Sequence, residues 1–556
     1  MEKVWLQHYP ANVPQTIDTS PYPSLLSIFH ASVQQFRHQP AYSNMGRVLT
    51  YQELDRLTRD FAAYLHHEAG LRHGDRIAIM MPNLLQYPVA LFGAFRAGLI
   101  VVNTNPLYTE RELRHQLQDA GVKAIVIMDS FAHVLEKVLP DTSLNTIIQT
   151  GAGDLLGGLK GWLVNFVVRH VKKMVPAYAL PTAVSYRQAL RQGATHKLDD
   201  ATLTQEDIAF LQYTGGTTGV AKGAALTHRN MIANLLQAEA WTAHDLKPGR
   251  EVFITALPLY HVFALTANAL FALKIGAKNI LITNPRDLPV FVKTLKQEKF
   301  SFITGVNTLF NALLHTPGFD SVDFSGLKIA LGGGMAVQRS VAEQWRKVTG
   351  TTLLEAYGLT ETSPAACINP PDIPEYNGMI GLPLPSTEVS IRDAGGEELG
   401  FHEAGELWIR GPQVMQGYWQ RPEETARVLD REGWLRTGDM AVINEEGFVK
   451  LVDRLKDMVL VSGFNVYPNE VEDVLTLHEK VLEAGVIGVP DEHSGEAVKA
   501  FVVRKDPDLT EDELKAWCKQ NLTGYKRPKY YAFVDELPKS NVGKILRREL
   551  REAKSG

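Results

Sequence analysis

One short stretch of this sequence combines glycines, hydroxyls and a lysine, which is the chemistry of an anion site. Residues 213–223 have the sequence YTGGTTGVAKG, and the apolar residues 208–211 before them predict a buried strand. A Gly-rich turn can direct several backbone N–H groups into one concavity, and the threonine hydroxyls and the Lys222 ammonium add donors for phosphate oxygens. We predict that a helix follows, with Thr227 as its N-cap, so that the turn joins a strand to a helix. The spacing is not that of a Walker A loop, and an ordinary Gly/Thr surface loop is the alternative.

Three segments further along the chain have residue types that would complete a nucleotide site. In EAYGLTE, Tyr357 can stack on a base, Thr360 can bond to a phosphate, and Glu361 can hold a hard cation such as Mg²⁺. In GWLRTGD, Asp439 can accept two sugar hydroxyls, and in PKSNVGK, Lys544 stands in a polar loop before a basic helix. Taken one at a time, these residues also fit a core tyrosine, a surface acid and a solvated tail.

The elements around these segments predict an α/β fold. Thr50 with Glu53, and Thr109 with Glu112, form capping boxes before helical patterns, and short apolar strands alternate with these helices. The alternation returns after the Gly-rich stretch and includes KIALGGG, whose glycines let a flat ring approach closely. Strands separated by helices of this length imply parallel βαβ units. We therefore expect two doubly wound sheets in one large N-terminal domain.

The pattern changes after Tyr357. Short alternating strands with Gly/Pro turns predict a small antiparallel sheet or distorted barrel, which would be a β-barrel-like subdomain of the large domain. From about Lys456 onward, an α+β pattern of roughly 100 residues predicts a small separate C-terminal domain. We therefore predict an N-terminal domain at 1–452, a hinge at 453–458 and a C-terminal domain at 459–556.

Composition excludes several classes of protein. The chain has 556 residues, which is too long for one hydrophobic core, and its net charge of −5 gives no basic field for nucleic acid. Its two cysteines, Cys367 and Cys518, have neither metal nor disulfide spacing, which favours a reducing compartment. The N-terminus has no run of signal-peptide type, and the most apolar window, 84–103, is interrupted by Arg96 and predicts a buried helix and strand. We expect a cytoplasmic protein that binds no nucleic acid.

A further segment, 155–181, has the pattern of a basic amphipathic helix. Its apolar residues, including Leu159 and Phe166, fall on one helical face, and basic residues such as Lys172 and Lys173 fall towards the other. Such a helix can lie in a membrane interface, which would make the protein peripheral on the inner face of the membrane. The alternative, and the more common case, is a helix packed on the large domain with its basic face in water.

Six motifs taken together resemble those of the adenylate-forming acyl-CoA synthetase family. They are YTGGTTGVAKG, EAYGLTE, GWLRTGD, DRLKDM, VSGFNVYPNEVE and PKSNVGK, and they stand in the family's order across nearly the whole chain. Pieces such as NPLYTERELRHQL and LPLYHVFALT are most similar to bacterial long-chain-fatty-acid–CoA ligases. The resemblance implies a two-step ligase, in which fatty acid and ATP give an acyl-adenylate and pyrophosphate. The small, mobile C-terminal domain then rotates about the hinge, and the thiol of coenzyme A takes the acyl group.

The resemblance also implies roles for the matching positions. Lys544 would bridge the carboxylate and the α-phosphate, His261 would lie beside the acyl carboxylate, and Thr360 would touch the α-phosphate. Glu361, with help from Thr214, would hold Mg²⁺. The positions implied to bind ATP or CoA are Tyr213, Thr214, Gly215, Gly216, Thr217, Thr218, Gly219, Lys222 and Gly223 around the phosphates, Gly332, Gly333, Gly334 and Tyr357 around adenine, Asp439, Arg454 and Lys456 at the ribose and hinge, and Ser462 and Gly463 facing CoA.

The length of the acyl group stays open at this point. By resemblance, Phe263, Thr304, Gly305 and Phe310 are expected near the acyl tunnel, but these side chains do not specify its depth. A medium-chain or aryl acid–CoA ligase on the same scaffold is one alternative. A membrane-surface protein that binds fatty acid or couples its transport is another. A homodimer is a further expectation, because dimers occur in the family.

Overall fold

Two large sheets form the framework of the chain in the computed structural model, which describes residues 2–214, 221–462, 464–491, 493–540 and 543–552. The first sheet has nine strands, parallel in its centre and antiparallel at both edges. In spatial order its strands are Leu382–Pro383, Ala365–Ile368, Leu353–Gly358, Ile329–Gly333, Phe302–Gly305, Val252–Thr255, Lys278–Leu281, Pro40–Asn44 and Arg47–Thr50.

The second sheet has eight strands and is parallel except at one edge. Its strands, again in spatial order, are Gly417–Tyr418, Lys222–Thr227, Ile208–Thr214, Ile100–Asn103, Arg76–Met80, Ala124–Met128, Thr146–Thr150 and Val184–Ser185. The prediction of two doubly wound sheets is therefore confirmed. Parallel neighbours need crossover connections, and the helices between the strands supply them.

The helices cover the sheets and fill the space between them. The α-helices are Leu25–Phe36, Tyr51–Ala63, Gln86–Arg96, Glu110–Asp119, Ala132–Val138, Gly158–Phe166, Tyr186–Gly193, His228–Thr242, Val262–Ala264, Phe271–Lys274, Leu288–Leu295, Asn307–Leu314, Arg339–Thr349, Pro422–Val428, Pro468–Thr476, Glu511–Asn521 and Arg547–Glu552. The π-helical turns are Tyr64–Glu68, Val167–Val171 and Leu265–Leu270. The 3-10 turns are Val4–His8, Asp129–Phe131, Leu139–Asp141, Phe319–Ser321, Thr360–Thr362 and Gly524–Lys526.

Local sequence signals set the starts of several helices. The predicted capping boxes at Thr50 and Thr109 are both formed, with Glu53 and Glu112 returning their carboxylates to the cap residues. The apolar window 84–103 is a buried helix and strand, as predicted. Its Arg96 is 3% exposed and pairs with Asp55 and, at 2.6 Å, with Asp200, so that a buried charge has two compensating partners.

The small β piece predicted after Tyr357 is an antiparallel four-stranded sheet. Its strands are Glu388–Arg392, Gly405–Arg410, Leu435–Ile443 and Val449–Arg454. The last sheet belongs to the C-terminal α+β piece and combines antiparallel pairs with one parallel pair. Its strands are Phe464–Val466, Val459–Val461, Gly495–Arg504, Val481–Asp491 and Tyr530–Val534. The chain therefore leaves the four-stranded sheet after Arg454 and enters the C-terminal sheet at Val459, within the stretch predicted to be a hinge.

The segment after the Gly-rich stretch differs from the prediction. Residues Lys222–Thr227 form a strand that pairs antiparallel with Ile208–Thr214, and the helix begins only at His228. The Gly-rich stretch thus lies between two strands of a hairpin, not between a strand and a helix. The consecutive apolar residues in GAALT fit a strand buried on both faces, and pairing with the preceding strand outweighs their helical propensity. The predicted N-cap at Thr227 is correct.

The amphipathic segment presents its apolar face to solvent. Leu159 is 79% exposed, and Trp162, Leu163, Phe166, Val171 and Met174 are also exposed. The basic side chains Lys160, Arg169, Lys172 and Lys173 are exposed as well, although Lys160 bonds to the Met45 carbonyl and the Arg169 guanidinium pairs with Asp129 at 2.9 Å. The side of the helix that packs on the protein is formed by the buried Gly161 and the partly buried Val164 and Val168. The expectation that the basic face lies in water is therefore confirmed, but most of the large apolar side chains of the segment lie in water too.

Two further observations concern membrane spans and cysteines. In the described part of the chain, no helix combines the length and hydropathy needed to span a bilayer. Cys367 and Cys518 are both buried and both free, in agreement with the prediction that neither forms a disulfide.

Candidate functional site

The predicted anion site begins at the hairpin of the second sheet. Tyr213 pairs with Gly223, and Thr214 pairs with Lys222, so the two ends of the Gly-rich stretch are held side by side. A Cβ atom on Gly223 would lie 3.0 Å from the Tyr213 ring, which explains the glycine. The predicted residues Gly215, Gly216, Thr217, Thr218 and Gly219 lie outside the residues that the structure describes.

Lys222 has two partners that the sequence did not reveal. Its ammonium is 2.6 Å from Glu424 Oε2 and lies 4.7 Å from the centre of the Tyr418 ring. Both partners belong to the segment that follows strand Gly405–Arg410. The two-residue strand Gly417–Tyr418 adds to the sheet beside Ala224 and Ala225, and this pairing brings Tyr418 to the lysine.

The predicted metal ligand, Glu361, meets the same tyrosine. It lies with Thr360 in the 3-10 turn Thr360–Thr362, and its Oε1 accepts a 2.7 Å hydrogen bond from the Tyr418 hydroxyl. Among the described residues, no group of three or more histidine, cysteine, aspartate or glutamate side chains is arranged to hold a metal ion. One carboxylate near a phosphate site nevertheless fits Mg²⁺, which commonly takes one or two protein carboxylates and completes its shell with phosphates and water.

The residues expected beside adenine and ribose also come together. The Tyr357 hydroxyl donates a 2.6 Å hydrogen bond to Asp439 Oδ2, and Arg454 Nε lies 3.2 Å from Asp439 Oδ1. Asp439 is only 4% exposed. Burial, followed by the Asp439 charge, raises the pKa of Tyr357 well above its ordinary value, so this phenol stays protonated and donates.

The three predicted glycines lie at the end of the strand next to the one that contains Tyr357. Strand Ile329–Gly333 pairs in parallel with Leu353–Gly358, which places Gly332 next to Glu355 and Gly333 next to Ala356. A Cβ atom on Gly333 would lie 3.1 Å from both the Ala356 carbonyl and the Phe263 ring. Gly334 has a φ of +78°, a left-handed conformation that favours glycine. Close packing within the protein therefore accounts for Gly333, and a left-handed turn accounts for Gly334.

Lys544 reaches this cluster from the C-terminal end of the chain. Its loop is fixed to the first sheet's helices by a 2.9 Å hydrogen bond from the Thr308 hydroxyl to the Gly543 carbonyl. Burial, and then the nearby Arg454 charge, lower the pKa of Lys544 to about 7, while Asp439 acts in the opposite direction. The predicted carboxylate neighbour His261 is also close, because burial and then the Lys544 charge lower the pKa of His261 to about 4.

A buried network holds the Lys544 loop to the predicted hinge. Arg547 lies 2.8 Å from Glu472 Oε2 and 3.4 Å from Asp453 Oδ1, and the Asp453 side chain is completely buried. The backbone N–H of Asn469 donates to the other Asp453 oxygen at 2.9 Å. None of these four residues was a predicted site residue, although Asp453 was placed in the hinge.

Two further predicted residues, Lys456 and Ser462, lie in the predicted hinge and just after it. Lys456 is exposed, and desolvation followed by the Arg454 charge lowers its pKa to about 8. Ser462 has a φ of 51° in the turn of a hairpin, and its N–H donates to the Ser494 carbonyl at 2.8 Å. Its described hydrogen bonds include none with the Tyr357–Asp439 group. Its predicted neighbour in CoA recognition, Gly463, lies outside the described residues.

Tyr418 and Glu424 were not predicted as site residues, because the sequence pattern around them is not specific. Tyr418 and Glu424 stand in MQGYWQRPEET, where only the short strand was recognised. An aromatic residue beside a run of acids has many ordinary explanations, so spacing alone does not join them to Lys222, which is 202 positions from Glu424.

Two family profiles and a full-length relative match this chain. The profile of the AMP-binding enzymes matches residues 29–419, and that of the AMP-binding enzyme C-terminal domain matches residues 470–544. The chain is 58% identical over 552 residues to a long-chain-fatty-acid–CoA ligase of Yersinia pestis, covering 99% of this chain and 98% of the relative.

Solved structures show the same fold. The anthranilate–CoA ligase AuaEII, solved with anthranoyl-AMP, superposes with a TM-score of 0.86 at 24% identity, covering 97% of this chain and 99% of that one. ATP-bound MatB from Rhodopseudomonas palustris superposes with a TM-score of 0.80 at 27% identity, covering 95% and 98%. The resemblance inferred from six motifs is thus confirmed, and the chain belongs to the family of AMP-binding enzymes.

Proposed function

We propose that this protein activates long-chain fatty acids as CoA thioesters, consuming ATP and releasing AMP and pyrophosphate. One observation carries the proposal: Lys544 is near enough to Asp439 and His261 to interact with them electrostatically, and Asp439 bonds to Tyr357, although these residues come from four distant parts of the sequence. Family membership and the full-length relative named long-chain-fatty-acid–CoA ligase support the same reaction.

The first step joins the fatty acid to AMP. A carboxylate oxygen attacks the α-phosphorus of ATP, the bond to the bridging oxygen breaks, and pyrophosphate leaves with the electron pair. Carboxylate alone is a poor acyl donor because it would have to expel oxide, and the mixed anhydride supplies AMP as the leaving group instead. Such a transfer depends mainly on positioning and on neutralising charge.

The chain's own residues divide these tasks by position. Tyr357 and the glycine strand hold the base, Asp439 with Arg454 holds the ribose, and Lys222 binds the phosphate chain. Thr360 would contact the α-phosphate, and Glu361 with Thr214 would hold Mg²⁺, which would neutralise phosphate charge when bound.

Lys544 is the group that couples the two substrates. Its ammonium bridges the fatty carboxylate and the α-phosphate, where charge accumulates during adenylation. The free lysine has a lowered pKa because it is buried near other cations. Two arriving anions favour the charged ammonium, so substrate binding itself prepares the residue.

The second step needs a different arrangement of the C-terminal piece. The CoA thiol attacks the acyl carbonyl, and AMP leaves with the electrons of the C–O bond. We place the hinge at 453–458, between the N-terminal domain at 1–452 and the C-terminal domain at 459–556. Rotation there would withdraw Lys544 and bring the Ser462–Gly463 turn to CoA, with Lys456 at the pivot.

The acyl chain is expected to run away from His261 past Phe263 and Thr304. The Thr304 hydroxyl donates to Asn268 Oδ1 at 2.8 Å, and Phe310 packs edge to face on Trp345 with ring centres 4.8 Å apart. These contacts fix the positions of Thr304 and Phe310, which are expected to lie near the acyl tunnel. A medium-chain or aryl acid remains the alternative substrate class, as the feruloyl-CoA synthase of an Amycolatopsis species, 34% identical over 516 residues, illustrates.

A pyrophosphate-release assay tests the function. The purified protein is supplied with ATP, Mg²⁺ and saturated fatty acids of graded chain length, with and without CoA. We expect pyrophosphate without CoA in a single turnover and continuous release with CoA, with the highest kcat/KM for long chains. Absence of pyrophosphate with every acid would overturn the reaction, and a preference for aryl or medium-chain acids would overturn the substrate class. Omitting Mg²⁺ should abolish release.

We also propose that the exposed apolar face docks the protein on an anionic membrane surface. The Trp162 and Phe166 rings stack with centres 5.4 Å apart, and Met45 extends the face from the neighbouring hairpin, where it is 40% exposed. Lys172 and Lys173 are exposed at its end, where they can meet anionic headgroups. Long-chain fatty acids partition into bilayers, so this surface would bring the enzyme to its substrate. A homodimer is a separate expectation from the family.

Vesicle co-sedimentation tests this surface. Phe166→Glu and the pair Lys172→Glu/Lys173→Glu should each weaken binding to phosphatidylglycerol-containing vesicles by about tenfold or more, because one removes buried apolar area and the other reverses two charges. Val290→Glu is the matched control, since Val290 is 57% exposed but lies on another helix. Equal binding by all variants would contradict the proposal.

A further inference from the structure

A carboxylate outside the predicted site holds the phosphate-binding lysine. Glu424 lies in helix Pro422–Val428, and its Oε2 accepts from Lys222 Nζ at 2.6 Å while its Oε1 accepts from Arg427 at 2.6 Å. The hydrogen bond to Lys222 and the lysine charge lower the pKa of Glu424, so the carboxylate is ionised at neutral pH. Lys222 is therefore bound to an anion that the chain itself supplies.

The Glu424 helix is fixed to the site by the strand before it. The Thr425 hydroxyl accepts a 2.9 Å hydrogen bond from the Tyr418 backbone N–H, and the Trp419 N–H donates to the Gly223 carbonyl at 2.8 Å. The Tyr418 ring lies under the Lys222 ammonium, and its hydroxyl bonds to Glu361. One short segment thus contacts both the lysine and the predicted metal ligand.

These contacts give Lys222 two competing anionic partners. Under the proposed function, the phosphate chain of ATP also needs this ammonium, and so does the pyrophosphate that forms from it. A lysine that keeps its pair with Glu424 has part of its charge neutralised, and transferring it to phosphate requires that pair to break. The competition lowers the affinity for both phosphate ligands, so pyrophosphate dissociates faster once it has formed.

We propose that Glu424 is a positioning residue that binds the Lys222 ammonium when the phosphate chain does not. By competing for this ammonium, Glu424 promotes pyrophosphate release. Tyr418 keeps the ammonium near one place during the exchange, because its ring attracts a cation whichever anion the lysine faces. This inference rests on the proposed function, and it adds a step of product release that none of the predicted site residues performs.

Titration calorimetry with inorganic pyrophosphate tests the exchange directly. We expect Glu424→Gln to bind pyrophosphate about two- to fivefold more tightly than the unaltered protein, the range for losing a partly exposed competing ion pair. The same variant should show a lower KM for ATP together with a lower kcat, because bound pyrophosphate leaves more slowly. A variant that is merely damaged would lose affinity instead.

Two controls separate the exchange from general charge effects. Glu423→Gln removes the same charge from an exposed neighbouring position of the helix, and should leave pyrophosphate affinity within error. Adding Glu424→Gln to a Lys222→Gln protein should give no further gain, because the residue then has no lysine to release. A gain in that background, or in Glu423→Gln, would show a general field effect or a role of Arg427 and overturn the proposal.

The outcome can be told apart from failure of the proposed function. If the unaltered protein binds neither ATP nor pyrophosphate, the function itself is wrong. If it binds both and forms acyl-CoA, but Glu424→Gln has unchanged or weaker pyrophosphate affinity, only the exchange is wrong.

Discussion

The Tyr357 hydroxyl donates a 2.6 Å hydrogen bond to Asp439 Oδ2, joining the residue expected beside adenine to the residue expected beside ribose. The two residues are 82 positions apart and come from different sheets. Because the phenol satisfies one carboxylate oxygen and Arg454 faces the other, Asp439 is held in one orientation. A preformed sugar site lowers the entropy that nucleotide binding must overcome.

Asp439→Asn should weaken binding of AMP by about tenfold or more. A carboxylate accepts hydrogen bonds at two oxygens, whereas an amide accepts at one oxygen and donates from its nitrogen. The variant therefore cannot accept from two sugar hydroxyls in the same way, and it leaves Arg454 without its charged partner. Calorimetric titration with AMP measures the loss. Tyr357→Phe is the companion change: it keeps the ring and should cost less affinity than Asp439→Asn. A larger loss for Tyr357→Phe would contradict the division of roles.

Lys544→Ala should lower the rate of adenylation by about two to three orders of magnitude, the scale for losing one preorganised charge contact. Thioester formation from supplied acyl-adenylate and CoA should survive, because the lysine acts only in the first step. The two half-reactions are measured separately, by pyrophosphate release and by acyl-CoA formation. An equal loss in both would contradict rotation about 453–458.

The pH dependence of adenylation should report Lys544. Its folded-state pKa is lowered to about 7, so the useful ammonium is present below that pH and is lost as pH rises through it. We expect kcat/KM for adenylation, which reports the free enzyme, to fall above about pH 7. The fall in kcat should come at higher pH, because bound anions raise the lysine pKa. Lys544→Arg should remove the fall, since arginine stays charged.

The lowered pKa of Lys544 also predicts how the free energy of unfolding depends on pH. The unfolded chain holds a proton on Lys544 up to about pH 10, whereas the folded protein releases it near pH 7. Between these values the unfolded state binds more protons, so the free energy of unfolding contributed by Lys544 rises with pH across this window. Lys544→Met should therefore stabilise the protein at pH 6 more than at pH 9, as measured by urea unfolding.

Arg547→Met should destabilise the C-terminal piece by about 3 kcal/mol, because it leaves the buried carboxylates of Glu472 and Asp453 without their cation. Urea unfolding followed by circular dichroism measures this loss. Arg548→Met is the matched control, since Arg548 is 69% exposed and should change stability by no more than about 0.5 kcal/mol. Similar losses for both variants would contradict a structural role for the buried network.

Some features of this protein are determined by residues that are close together in its sequence. The capping boxes at Thr50, Thr109 and Thr510 depend on residues three positions apart, and the structure forms all of them. Alternating apolar strands and helices likewise implied the two sheets, since βαβ connections restrict the topology. The six motifs identified the family because each contains the residue types that nucleotide chemistry requires.

Tertiary structure decided which partners these residues meet. Periodicity shows that Leu159 and Phe166 share a face, but it does not show whether that face is covered, and only the tertiary structure shows that both side chains are exposed. The strand at Lys222–Thr227 formed because a neighbouring strand could pair with it, against a helical pattern. Glu424 reaches Lys222 from 202 positions away, and no local rule joins them. The sequence alone determined which side chains could do the chemistry, while packing between distant segments determined their charges, orientations and neighbours.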